Sequence, residues 1–274
     1  DGDPAMSVHS PRALTKRALA VVEGQSSAEG ASLLIYHRVG GHTSDELDVT
    51  TDQFREHLDA LAGHDVVSLD TALDRIERRD RRHSVVLTFD DGFADVYDNA
   101  WPLLRERHLP FTLYVATAYM GAPMVWENST AKGPHGQGMS WAQLEEMVES
   151  GLCTIGNHTH THVRPEALTV DELDRCTAAI EDHLGVTPQH FTYPWGVPVP
   201  DIEPALAARF RSSSTGLLGR NDRHTDPQRL RRIPVRQSDP LPFFEAKLVG
   251  DLRAERAYAR LVGTTKSLLR RLPG

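Results

Sequence analysis

The chain has 274 residues, 39% of them hydrophobic and 25% charged, with a formal charge of −8 at pH 7. Such a chain can bury a large core, has no basic surplus for a nucleic-acid partner, and holds no run near the ~20 apolar residues of a membrane span. Cys153 and Cys176 form neither a disulfide framework nor a metal-type Cys pair, so both read as buried thiols.

The five residues before Met6 read as a vector remnant, which makes Met6 the natural start. The apolar patch at 18–22 is then too short for a signal-peptide core of about 7–15 residues. That places the protein in the cytoplasm; a chain trimmed from a longer one would instead be secreted. Residues 1–29 are taken as remnant plus a polar extension with one short amphipathic stretch, and 30–274 as one domain with a C-terminal helix.

From residue 32 strand-like runs alternate with helical patterns. "SLLIYHRV" (32–39) predicts a strand, and "TTDQFREHLDALAGHD" (50–65) a helix with Phe54, Leu58 and Leu61 on one face. "DVVSL" (65–69) predicts a second strand, then "DTALDRIERR" a helix, "SVVLTF" a third strand and "VYDNAWPLLRERH" its helix. "FTLYVAT" predicts a strand, "SWAQLEEMVESG" a helix with a Ser cap and Gly stop, "CTIG" a strand, "TVDELDRCTAAIEDHLG" a helix and "HFTYP" a strand. About seven βα units fit before "RLRRIPV" (229–235), which predicts a parallel α/β sheet, open or closed into a barrel. The basic amphipathic tail is expected to pack on that sheet as a helix.

In such a fold active groups gather at the carboxyl ends of strands. Polar clusters stand there at "TFDDG" (88–92), "IGNHTHTHV" (155–163) and "FTYPWG" (191–196), with "YHRV" (36–39) as a fourth. Two adjacent carboxylates at the end of an apolar strand are expensive unless a cation sits there or the strand end is solvated. Strand neighbours point to opposite faces, so Asp90 and Asp91 can serve one site only where the strand breaks, and Gly92 supplies a break. Among the histidines, 158 and 162 meet only across a turn, whereas alternation on a strand would pair His160 with a neighbour. Spacing does not choose between them. One carboxylate with two imidazoles and an open position makes a catalytic metal site, and a second carboxylate could take a proton from water.

"TFDDG", "HTHTH" and "YPWG", in this order, resemble the motifs of the NodB-homology polysaccharide deacetylases, carbohydrate esterase family 4, from about Ala31 to Val235. The resemblance implies a distorted (β/α)7 barrel of parallel strands. It also implies a divalent metal, zinc first, with cobalt, nickel or manganese also suited to such ligands. By motif position Asp90 resembles the general base, Asp91, His158 and His162 the metal ligands, with Thr159 in the hydroxyl position, and Trp195 the residue whose backbone N–H holds the oxyanion. Two departures stand out. Thr192 occupies the place of an Arg that steadies the base, and the closing Leu-x-His that supplies the acid is absent. The opening strand is similar to the permuted branch containing poly-N-acetylglucosamine deacetylases, which implies His37 as the acid. Arg232 or Arg236 would then supply the missing cation.

Tyr36 and Tyr193 are expected mainly as core or wall residues, with Tyr193 also set down as a substrate contact. Trp126, in the Gly/Pro-rich insertion at 119–141, could stack on a sugar, and His135 reads as a solvated loop residue. The expected activity is removal of an acetyl group from an N-acetylated amino sugar or polysaccharide. Two alternatives stay open: a cytosolic deacetylase or deformylase of a small aminosugar, nucleotide sugar or natural-product intermediate, and a non-catalytic carbohydrate-binding relic.

Overall fold

The computed structural model describes residues 11–20, 29–126 and 136–269. The five residues before Met6, residues 21–28 of the polar extension, and His135 lie outside the described residues. The elements are α1 (Pro11–Ala20), β1 (Gly30–Tyr36), a small ladder of β2 (Arg38–Val39) with β3 (Asp48–Val49), α2 (Thr51–Ala60), α3 (Leu69–Glu77) and β4 (His83–Phe89). A π-helical turn at Val96–Ala100 leads into α4 (Trp101–Glu106), then β5 (Phe111–Val115), α5 (Trp141–Glu149), β6 (Cys153–Asn157) and α6 (Val170–Leu184). The chain ends with β7 (His190–Thr192), α7 (Glu203–Ala207), β8 (Ser212–Leu218), β9 (Leu230–Pro234), α8 (Leu241–Leu248) and α9 (Arg253–Leu269).

Seven strands close a barrel in the order β1-β4-β5-β6-β7-β8-β9, every pair parallel. Closure comes where Leu34 pairs with Ile233 and Ile35 with Pro234, so the first and last barrel strands are neighbours. Helix starts follow their caps: the Thr50, Ser68 and Thr169 side chains accept from the third helical N–H, and Ser140 forms a reciprocal capping box with Gln143.

Two stretches differ from the sequence reading. Residues 65–69 make only a bridge of Val66 to Val85, because Ser68 already caps α3 and leaves no length for a barrel strand. The seventh strand is instead β8, "SSSTGLL", whose run of Ser and whose Gly carry no strand signature. Its first four residues are buried all the same.

Side-chain alternation sorts the strands into two layers. Leu34, Tyr36, Leu87, Phe89, Phe111, Leu113, Ile155 and Ile233 join the layer under the helices. Ala31, Leu33, Val86, Tyr114 and Leu230 turn to the other side, into the barrel. Carried to the strand ends, the inward parity includes His37, Asp90, His158 and Arg232. Gly156 keeps that interior open, since a Cβ there would meet the Tyr114 ring at 2.3 Å.

Helix α1, inside the stretch read as an extension, packs on α8 and α9. Its Lys16 is fully buried and donates to Asp239 (2.6 Å) and Ser238 (2.7 Å).

Candidate metal centre and active site

Strand β4 ends at Phe89, and the chain then turns through two left-handed residues, Asp91 (φ 75°) and Gly92 (φ 94°). The positive φ of Gly92 is what calls for glycine there, since the nearest neighbour of a Cβ would be the flexible end of Met120 at 2.9 Å. The turn lets both carboxylates serve one place: Asp90 keeps the inward parity of its strand, and Asp91 is swung round beside it.

After β6 the segment 158–162 leaves extended geometry. Thr159 (φ 66°) and His162 (φ 52°) are left-handed, and the rings of His158 and His162 come to 4.9 Å. Of the two spacings left open by the sequence, the turn is the one observed. His160 points away, its Nδ1 bonded to the Thr117 hydroxyl at 2.8 Å. His158 Nε2 lies 3.2 Å and His162 Nε2 3.3 Å from Asp91 Oδ1. One ligand atom from each of these three buried residues lies within 4.8 Å of the others.

The donor chemistry fits a cation. His158 Nδ1 is 2.9 Å from the Thr192 carbonyl, which only accepts, so this nitrogen carries a proton and Nε2 is the atom turned toward Asp91. Acceptor atoms packed so closely require a proton or a metal ion between them. Burial pushes the His162 imidazole toward its neutral, ligating form. Burial alone would raise the Asp91 carboxyl, but hydrogen bonds from both imidazoles outweigh it and hold the group far below the usual carboxylate range. Two imidazoles and a carboxylate with a free position suit zinc or another first-row divalent ion.

Asp90 is 3% exposed and grasped by Arg232 in a two-pronged pair, Nη1 to Oδ1 at 2.6 Å and Nη2 to Oδ2 at 2.8 Å. Burial raises this carboxyl, yet the guanidinium more than offsets the effect and keeps Asp90 anionic. Arg232 itself is 1% exposed, bonds the Thr215 carbonyl and lies over the Tyr114 ring at 5.6 Å. Arg236 does not reach Asp90; it pairs with Glu255. The cation beside Asp90 thus comes from β9, while Thr192 uses its hydroxyl on Ser214 and its carbonyl on His158. His37, the residue directly after β1, places its Nε2 4.0 Å from Asp90 Oδ2.

Trp195 adopts φ 63° in the turn Pro194–Gly196, its ring 5.4 Å from that of His162 and covered by the Arg164 guanidinium at 4.1 Å. Trp126 lies against His162 at 4.2 Å and also meets Phe93 and Tyr119. It is half-buried at the metal-ligand side, where it braces a ligand ring. Tyr193 takes a different place from a substrate contact. Its parity follows Phe191 outward, and it is 1% exposed among Leu173, Ile202, Leu206 and Phe210. The sequence reading did not single out the Thr192 carbonyl, which carries no side-chain signature, nor the Arg164 stack.

A closed parallel barrel that carries at its rim a buried carboxylate–imidazole cluster, and beside it a carboxylate held by a buried guanidinium, suits hydrolytic chemistry. The comparisons narrow this. A sequence model of the polysaccharide deacetylase family matches residues 77–208. The solved structure of IcaB from Ammonifex degensii is 30% identical with a TM-score of 0.70, covering 82% of this chain and 99% of that one. The chain belongs to the polysaccharide deacetylase family. It is 31% identical over 116 residues to the poly-β-1,6-N-acetyl-D-glucosamine N-deacetylase of Staphylococcus epidermidis, a match covering 41% of this chain and 37% of the relative. The Staphylococcus aureus protein of the same name is 25% identical over 175 residues, covering 58% of this chain and 57% of that one. The chain therefore spans less than two thirds of these curated relatives. The deacetylase PplD of Streptococcus pyogenes, 20% identical with a TM-score of 0.68 and coverage of 81% and 99%, shares the fold.

Proposed function

We propose that the protein hydrolyses the acetamido group of N-acetylglucosamine units in an oligomer or polymer, with a divalent ion held by Asp91, His158 and His162. The observation that carries this reading is Asp90, locked by Arg232, facing His37 across 4.0 Å directly beside that triad. The relatives' names direct the substrate choice to N-acetylglucosamine polymers. When bound, the ion supplies Lewis acidity, polarising an acetyl carbonyl and acidifying water at its open position.

The chain's own residues do the rest. Asp90 accepts a proton from the attacking water as its oxygen adds to the acetyl carbon and the carbonyl pair moves onto oxygen. The Trp195 backbone N–H serves the developing oxyanion, a role worth roughly 3–4 kcal/mol per donor. As the pair returns and the C–N bond breaks, His37 gives its proton to nitrogen, since an amine anion is too basic to leave unaided. Acetate and a free amine depart.

The test is acetate release by zinc-loaded protein from N-acetylglucosamine oligomers and from the free monosaccharide. Turnover of oligomers is expected, with losses of about 10²–10⁴-fold in Asp90→Asn and in His37→Ala. Release from neither substrate would overturn the proposal, and release from the monosaccharide alone would move the substrate to a small aminosugar.

A further inference from the structure

His37 is poorly held by its own side chain. Its Nδ1 is buried with no hydrogen-bond partner, and its Nε2 reaches only Asp90, at 4.0 Å. A ring so placed takes its position from the backbone on either side. On the near side, the Asp90 N–H donates to the Tyr36 carbonyl at 3.0 Å. On the far side the chain leaves the barrel into β2, and two side chains from the segment following Asp91 take hold of it.

Asp95 uses both oxygens. Oδ2 accepts from Arg38 Nε at 2.7 Å and Oδ1 from the Val39 N–H at 3.3 Å. Asn99 Nδ2 donates to the Val39 carbonyl at 2.9 Å. Residue 39 is thus gripped at both its amide and its carbonyl. Asp95 and Asn99 lie four apart, at the start and within the π-helical turn Val96–Ala100, a widened turn of the sort found at functional sites. The Arg38 guanidinium also lies over the Phe93 ring at 4.8 Å. Both members of the Arg38–Asp95 pair are 12% exposed, so the bond is shielded from water and little screened.

We propose that Asp95 and Asn99 are positioning residues for His37, a clamp by which the segment bearing Asp90 and Asp91 also sets where the proton donor stands. The inference rests on the assignment of His37 as donor, and it explains how base and acid, from separate strands, keep one spacing. Burial pushes the Asp95 carboxyl up to about 6, so its anion depends on Arg38 in return.

Catalysis is sensitive to such placement, a shift near 1 Å being able to cost about 10²-fold. The test compares two substrates of zinc-loaded protein: an N-acetylglucosamine oligomer, whose amine needs a proton to leave, and an aryl acetate, whose phenolate does not. Asp95→Asn and Asn99→Ala are each expected to lower kcat on the oligomer about 10–100-fold, with KM, zinc content and aryl acetate turnover near those of the parent. In a His37→Ala background neither change should lower oligomer turnover further. Asp95→Glu should recover part of the loss. Equal losses on both substrates would overturn the clamp and reduce these residues to supports of the fold. Unchanged oligomer turnover in both variants, with His37→Ala impaired, would also overturn it while leaving the donor in place. If His37→Ala itself turns over normally, the donor assignment fails and the clamp with it. Two variants guard against one failing to fold, because Asn99→Ala removes a single hydrogen bond and no charge.

Discussion

Arg232 is a fully buried cation whose charge is met by one carboxylate, and that pairing decides what either residue can be replaced by. Removing one member of a buried pair leaves the other desolvated and unpaired, which costs about 3–5 kcal/mol, whereas removing both together costs far less. Arg232→Met is therefore expected to lower the unfolding free energy by roughly that amount and to abolish measurable acetate release. Adding Asp90→Asn should restore much of the stability and none of the activity. Paired denaturation curves of the two single variants and the double variant check this, and additive losses would show that the two side chains do not act as a unit. Arg232 reaches Asp90 from an inward position of β9, while Thr192 lends its carbonyl to His158 instead.

At the level of elements, α1 is tied to the barrel by charge. Asp239 is buried between Lys16 and Lys247, 2.6 Å from each, and Lys247 also reaches Glu255. Arg236, Glu46 and Tyr258 complete the surroundings. Burial would raise the Asp239 carboxyl, but the two ammonium groups override it and bring it down to about 2. A carboxyl held below its ordinary value near 3.9 stabilises the fold above that value, and the contribution is lost as pH falls from about 4 toward 2. Urea midpoints measured from pH 5 to pH 2 should fall less steeply for Asp239→Asn than for the parent, although the variant starts lower at neutral pH, with Lys16 stripped of its carboxylate and Lys247 left to Glu255 alone. Parallel curves would rule out an ionised Asp239. The sequence disclosed little of this element, since Lys16 looks like any surface lysine until its partners 222 and 223 residues away are known. It disclosed more elsewhere. The barrel strands rich in Val, Leu and Phe, and the helices with Ser or Thr caps, were legible because period and capping are local signals. Strand β8 was not, because Ser and Thr facing a barrel interior imitate a loop. Asp91, His158 and His162 were legible by their likeness to motifs; spacing alone left His160 open, and the left-handed turn at Thr159 is what brings His162 to His158. Tyr193, read as core or wall, proves to be core, a choice that the parity of β7 makes and the sequence did not.

For the molecule as a whole, the barrel gathers groups from β1, β4, β6 and β9 and the turn after β7 on one rim, and closure makes the first and last strands neighbours. That gathering has a cost in stability. Asp91, Thr159, His162 and Trp195 all hold left-handed backbone, which disfavours residues with a Cβ by roughly 1–2 kcal/mol each. In addition, the Nε2 atoms of two imidazoles crowd one carboxylate oxygen at 3.2 and 3.3 Å. A cation bound among them relieves the second cost in the folded chain and finds no such site in the unfolded one, so binding and stability are linked. Stabilisation at a hundredfold excess over Kd is about 2.7 kcal/mol, which raises Tm by roughly 5–10 °C for a domain of this size. Zinc added to chelator-treated protein is expected to produce that shift. Asp91→Asn should lose most of it, and since asparagine accepts the left-handed conformation, that loss reports on ligation rather than backbone strain. His160→Ala, outside the triad, should keep the full shift. A zinc-dependent rise undiminished in Asp91→Asn would place the ion elsewhere and remove the centre on which the proposed hydrolysis depends.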